Sequence, residues 1–293
     1  MNYPKFFKEG FIVRNIKAEI IKEAVRELFI KANYVISMDL YKKLLEAKES
    51  EESEIGKNVL EQIIKNADIA KEENIAICQD TGMAVLFVEL GQDVHIVDGD
   101  FNEAINAGVR EAYEQGYLRK SVVVDPLFDR KNTKDNTPAI VYVEIVKGDR
   151  IRLIAAPKGF GSENMSALKM LTPAEGVKGV KDFVVETVLK AGPNPCPPIV
   201  VGVGIGGTME KAALLSKKAL LRPLDQRHPD ERYASLEKEI LEMINLSGIG
   251  PGGLGGRITA LAVNIEYYPT HIAGLPVAVN ICCHANRHAE TVI

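Results

Sequence analysis

The chain has no excess of positive charge, no long apolar run and few cysteines, and each shortfall removes a class of function. Lys and Arg number 36 against 40 Asp and Glu, for a formal charge of -4. Nothing in that balance favours nucleic acid or an anionic membrane surface. No stretch approaches the roughly 18 apolar residues of a membrane span. The opening Met1-Asn2-Tyr3-Pro4-Lys5 has neither the apolar core nor the small-residue cleavage site of a signal peptide. The expectation is a cytoplasmic protein with no nucleic-acid or membrane partner. Internal repeats and low-complexity segments are also missing.

Only four cysteines are present: Cys78, Cys196, Cys282 and Cys283. None stands in the close pairs of a zinc finger or ribbon. A long chain in a reducing compartment has little need of disulfides, so free thiols or metal ligands are the readings left. A site drawing on all three cysteine regions has to be assembled by the tertiary fold, and spacing alone does not show that it is.

What is there is ordinary globular material: 293 residues, 46% hydrophobic and 26% charged. That is enough to bury a core in one large or two modest domains. We treat residues 1–293 as a single catalytic domain whose first 75 residues are largely helical. The stretch Cys78-Gln79-Asp80-Thr81-Gly82 stands between Ile75-Ala76-Ile77 and an apolar run from Met83 to Val88, a candidate buried strand. A soft thiolate beside a carboxylate can hold a metal next to an acid or base. A core cysteine next to a turn aspartate has the same appearance.

Apolar spacing predicts helices over Lys17–Ala32, Asp39–Ala47 and from Val59 to Ala70, with Glu49–Glu54 a solvated connection or helix start. His95–Val97 reads as a short partner to the strand at Met83. Asp100 with Glu103 opens a helix over Phe101–Tyr117. Arg119-Lys120 follows its C-terminus, where cations are favourable for dipole reasons alone. Residues 125–138 form a loop, and 139–146 with 151–156 a hairpin. Lys158–Asn164 is either a glycine loop that binds a carboxylate or a flexible turn. Val177, Val180, Val184 and Val188 mark another helix.

Cys196 lies in Pro193-Asn194-Pro195-Cys196-Pro197-Pro198, where the prolines bar helix and central strand. A strand over Ile199–Val203 and a helix over Thr208–Leu221 follow. Gly202, Gly204 and Gly207 between them spell GxGxxG in a strand-to-helix setting. A nicotinamide-dependent oxidoreductase would use these glycines, but needs a second strand ending in an acid about 20 residues on. Asp225 falls instead in a proline-broken charged loop. A helix N-terminus receiving a carboxylate is the alternative use. After a helix over Leu236–Leu246, the glycines of residues 247–256 mark a close approach of ligand or backbone, or a moving loop. Strands over Ile258–Ile265 and Val277–Ile281 flank Pro269-Thr270-His271, and Cys282-Cys283-His284-Ala285-Asn286-Arg287 follows.

Taken together, CQDTG, NPCPP, GVGIGGT, PTH and CCHANR resemble the class I fumarase and L-tartrate dehydratase family of iron–sulfur hydro-lyases, in particular its separate α subunit. The resemblance covers nearly the whole chain. It implies a mixed α/β (α+β) fold, with a helical N-terminal layer packed on mixed β-sheets around an iron–sulfur site. It further implies that Cys78, Cys196 and Cys283 are ligands of a [4Fe–4S] cluster whose open iron acts as a Lewis acid. Asn286 replaces the family's usual acid in an Ala-Asp-Arg triplet. By the same likeness Gln79 and Asp80 contact substrate, with Asp80 a candidate acid, and Arg119 binds a carboxylate. Gly159 and Gly161 belong to the family's glycine loop, and His271 is its active-site histidine. The implied substrate is a small dicarboxylate, fumarate/malate or tartrate. Basic residues missing here imply a separate β subunit, in an α2β2 assembly. A non-enzymatic iron–sulfur subunit is the further alternative.

Overall fold

The computed structural model describes residues 13–293, so the reading of Met1–Lys5 as lacking a signal peptide lies outside the described residues. The elements run β1 (Arg14–Lys17), α1 (Ala18–Tyr34), α2 (Met38–Ser50), α3 (Glu54–Glu73), β2 (Val85–Gly91), β3 (Val94–Val97) and α4 (Phe101–Gln115). There follow β4 (Ile140–Val146), β5 (Ile151–Ala155), α5 (Phe160–Glu163), β6 (Ala167–Leu171), α6 (Gly176–Ala191), β7 (Ile199–Gly206) and α7 (Met209–Ala219). The last are α8 (Glu231–Asn245), β8 (Ala260–Tyr268), β9 (Leu275–Cys282) and β10 (Ala289–Val292). The mixed α/β expectation holds. No helix among the described residues is long and apolar enough to cross a membrane.

The chain forms two compact units: residues up to Ala32 with Met83–Pro157 and Ala289–Ile293, and Asn33–Gly82 with Lys158–His288. The first contains a sheet in the order β10-β5-β2-β4. The expected hairpin of β4 and β5 is not formed, because β2 runs between them, parallel to β4 and antiparallel to β5. The turn at 147–150 instead wraps the end of β2, where Gly91 N donates to Arg150 O and Asp93 N to Gly148 O. β3 likewise pairs with β1, in parallel, and not with β2. Asp100 caps α4 as its spacing predicts, its Oδ1 accepting from Glu103 N at 2.8 Å. α1 and α4 approach closely at Gly108, where a Cβ would lie 2.5 Å from the Lys22 carbonyl.

The second unit is a sheet in the order β6-β9-β7-β8 with helices on both faces. β7 is buried along its length, and its alternation assigns the faces. Val201, Val203 and Ile205 pack with α6 and α8. Gly202 and Gly204 are set beneath α7, where a Cβ would sit 2.1 Å from Ser216 O and 2.0 Å from Ala212 O respectively. These glycines of the GxGxxG pattern thus serve helix–strand packing. α2, α3 and Val200 build the other core.

The acidic stretch before α3 is not simply solvated. Ser53 caps α3 through Gly56 N, whereas Glu51 is 2% exposed. Its carboxylate accepts from the backbone of Glu52, Ser53, Arg257 and Ile258. It therefore grips the glycine-rich loop after α8. That loop approaches backbone and side chain closely: a Cβ on Gly253 would meet Pro193 at 2.3 Å, and Gly252 N donates to Pro197 O at 2.8 Å. The loop buttresses the segment that carries Cys196.

Candidate functional site

Three irregular segments of the second unit meet at one end of its sheet. β7 and β9 are antiparallel with Val200 opposite Cys282, so the start of one strand adjoins the finish of the other. Cys196 precedes the first and Cys283 follows the second. The Cys78 segment leaves α3 through Asn74, whose left-handed φ of 53° turns the chain. Ile77 anchors it in the core that also holds Val200, Cys282 and Ala285. Its N–H donates to Asn33 O at 2.9 Å, and Asn66 Nδ2 donates to its carbonyl at 2.8 Å.

The three cysteine segments come together as a result. Desolvation raises the pKa of the Cys196 thiol, and charge on Cys283 and Cys78 raises it further. Groups so far apart in sequence repel only if the fold makes them neighbours. Among the described residues no three His, Cys, Asp or Glu side chains converge on a single ion. Thiolates brought from three segments suit a polynuclear cluster, in which each binds a different iron. Cys196 is held at φ 57°, which a residue before proline rarely adopts.

The segment after β9 fastens the others. His284 Nδ1 lies 3.1 Å from the Cys196 carbonyl. Asn286 Nδ2 donates to Leu220 O at 2.8 Å, beyond the end of α7. The Arg287 guanidinium donates to the Asp80 carbonyl. Cys282 is buried and accepts a hydrogen bond from Cys283. That bond, with help from Lys158, Arg287 and Lys217, lowers its pKa to about 6 despite burial.

Asp80 is fixed by backbone amides on both carboxylate oxygens: Gly82 N at 3.0 Å on Oδ1 and Phe160 N at 2.8 Å on Oδ2. One lone-pair site remains on each oxygen. The expected glycine loop is therefore one turn of helix, α5, with Asp80 bonded at its start. Gly159 is needed there, since a Cβ would lie 3.1 Å from Asp80 Oδ2. Gly161 is exposed, with Asn194 O as its nearest neighbour at 3.9 Å, and Gln79 is exposed beside Cys78.

Beneath this surface is a charge network that sequence reasoning missed. Lys158 is 6% exposed, and its Nζ donates to Ser162 Oγ at 2.8 Å and Ile281 O at 2.9 Å. Glu163 joins Lys217 at 2.6 Å and Lys158 at 3.3 Å, and accepts from Asn280. No periodicity links these positions: Lys158, Ser162 and Glu163 lie in the stretch read as a glycine loop or turn, and nothing in the sequence pairs them with Lys217 or Asn280.

Arg119 and His271 are the remaining expected site residues. Arg119 is exposed in the first unit, after α4. His271 precedes β9, whose far end carries Cys282. At about 3.4 Å per residue that strand separates them by roughly 24 Å. His271 instead borders a cavity of about 630 Å³ with Tyr233, Arg232 and Ile272.

The comparisons with known proteins agree on the family. The model of the fumarate hydratase (fumerase) family matches residues 22–292. A putative L(+)-tartrate dehydratase subunit alpha from Methanocaldococcus jannaschii is 48% identical over 275 residues, spanning 92% of this chain and 96% of that protein. The L(+)-tartrate dehydratase subunit alpha of Escherichia coli (strain K12) is 35% identical over 259 residues, 87% of this chain and 84% of that protein.

Proposed function

We propose, because this chain belongs to the fumarate hydratase (fumerase) family of hydro-lyases, that it is the cluster-bearing α-type subunit of an enzyme adding or removing water on a small dicarboxylate. The observation that carries the reading is the gathering of the three cysteine segments at one end of a sheet: Val200 lies opposite Cys282, His284 Nδ1 lies 3.1 Å from the Cys196 carbonyl, and Arg287 donates to the Asp80 carbonyl. Cys78, Cys196 and Cys283 would hold a [4Fe–4S] cluster. When bound, such a cluster leaves one iron without a protein ligand, a Lewis acid for a departing hydroxide.

The chain's own residues supply the remainder. Asp80, its carboxylate fixed by two amides, is the group to move a proton. Gln79 offers an exposed amide to the substrate, and Arg119 a guanidinium for a carboxylate. Gly159, lacking a Cβ, leaves Asp80 Oδ2 uncrowded, and Gly161 is exposed where substrate would pass. His271, at the opposite end of β9, enters such a site only when another copy of the chain supplies it. One family model runs through both compact units, which supports residues 1–293 acting as one catalytic domain.

The relatives' names bring in two finer points. "Subunit alpha" implies a β subunit, which we take to complete the site in an α2β2 assembly. The same names bring in L(+)-tartrate, where the family's description has fumarate; malate, the hydrated form of fumarate, differs from tartrate by one hydroxyl group. The test is anaerobic reconstitution with iron and sulfide, followed by dehydration assays on malate and tartrate and hydration of fumarate, with and without the partner chain. Cluster uptake with turnover only in the presence of the partner is expected. Full turnover by this chain alone would refute the β subunit, and turnover without iron would refute the cluster.

A further inference from the structure

Arg287 is 5% exposed, and its hydrogen bonds do not balance. Nη2 donates to the Asp80 carbonyl, but Nε and Nη1 are buried and have no acceptor. Leaving a buried donor unsatisfied is costly, and more so when it is charged. Packing gives no return for that cost, since a methionine would fill similar space without it. The neighbours explain what an acceptor there would be. Cys282 and Cys283 both experience the Arg287 charge, and a Cβ on Gly159 would lie 3.8 Å from Nη2. The guanidinium thus sits among the Cys78 loop, the start of α5 and the segment of Cys283.

We propose that Arg287 is a positioning residue of the thiolate site: one nitrogen ties the Cys78–Asp80 loop to the Cys283 segment, and the other two donate to cysteine sulfur once Cys283 coordinates the cluster. The inference rests on the cluster reading given above. Thiolate sulfur accepts N–H bonds, and such bonds tune both the retention and the electronic properties of a cluster. A planar fork can serve a carbonyl and a sulfur at once; the single ammonium of lysine keeps the charge but loses that geometry.

The full chain is prepared as wild type, Arg287→Lys and Arg287→Met. Each is examined first as apoprotein by circular dichroism and thermal melting. Each is then reconstituted anaerobically with ferrous iron and sulfide. Iron per chain, the electron paramagnetic resonance spectrum and the half-life of iron release to a chelator are measured. All three apoproteins should fold alike. Both variants should release iron at least about tenfold faster than wild type, with an altered spectrum, and Arg287→Met should not be slower than Arg287→Lys. Wild-type release and spectrum in Arg287→Lys would overturn the proposal. So would a failure of its apoprotein to fold, which would assign the residue to the core. If wild type itself takes up no iron and sulfide, the cluster reading fails instead.

Discussion

Glu163 and Lys217 meet at 2.6 Å across 54 residues of sequence, and Lys158 approaches the other oxygen of the same carboxylate at 3.3 Å. Two largely buried ammonium groups therefore depend on one acid. Glu163→Gln removes the charge and leaves both lysines uncompensated. It should destabilise the apoprotein by roughly 3 kcal/mol, read from the urea midpoint at neutral pH. A loss under about 1 kcal/mol would mean that solvent already compensates the lysines.

The cysteine assignments differ in what they demand. On the proposed reading, Cys78→Ala, Cys196→Ala and Cys283→Ala should each abolish cluster uptake, since each would remove a thiolate ligand. Cys282→Ala should retain iron and sulfide. Retention by Cys283→Ala with loss by Cys282→Ala would exchange the roles of the adjacent pair. Air should destroy activity faster than it unfolds the protein, with recovery on anaerobic treatment with ferrous iron and thiol.

Acid should unfold the protein through two identifiable carboxylates. Burial alone would raise the pKa of Glu51, but the amides of Ser53, Arg257, Ile258 and Glu52 outweigh it and hold the value below the ordinary 4.5. Burial likewise opposes ionisation of Glu163, and Lys217 and Lys158 prevail. Their stabilisation is complete above the unfolded-state value and is lost as pH falls through the lower folded-state values. Urea midpoints measured between about pH 6 and pH 3 should therefore drop below about 4.5, and less so in Glu51→Gln. An unchanged acid slope in that variant would contradict the assignment.

The glycines provide a contrast within one experiment. Gly204→Ala puts a methyl group 2.0 Å from the Ala212 carbonyl of α7 and should cost about 3 kcal/mol or prevent folding. Gly161→Ala puts a methyl group in ordinary contact, 3.9 Å from Asn194 O, and should leave the melting temperature unchanged. If substrate passes Gly161, that variant should nonetheless raise KM. A stable Gly204→Ala protein would show that α7 can lift from β7.

Helices and strands were legible wherever periodicity carried them: α4 began at Asp100, and β7 was visible as an apolar run. Pairing was less legible, because neighbours in sequence need not be neighbours in a sheet. β4 and β5 are joined by a short turn, yet β2 lies between them, and β6 went unread. The three cysteine segments are recognisable by motif, but their meeting depends on the β7–β9 register for Cys196 and Cys283 and on the anchoring of Ile77 for Cys78. Glu51 looked like a surface charge because burial by four backbone amides leaves no compositional trace. A motif names His271 without locating it, and the β9 strand sets it at the end opposite Cys282.

β10 has a consequence for synthesis. It pairs with β5, yet everything from Lys158 to His288 is translated between the two and belongs to the other unit. As the chain leaves the ribosome, β5 has β2 on one side and an open edge on the other until residues 289–292 emerge. Loop closure over so long a separation is slow, and an open edge recruits strands from other chains. The interval before β10 arrives is when a nascent chain is most exposed to misassembly, and slowing translation between β5 and β10 lengthens it.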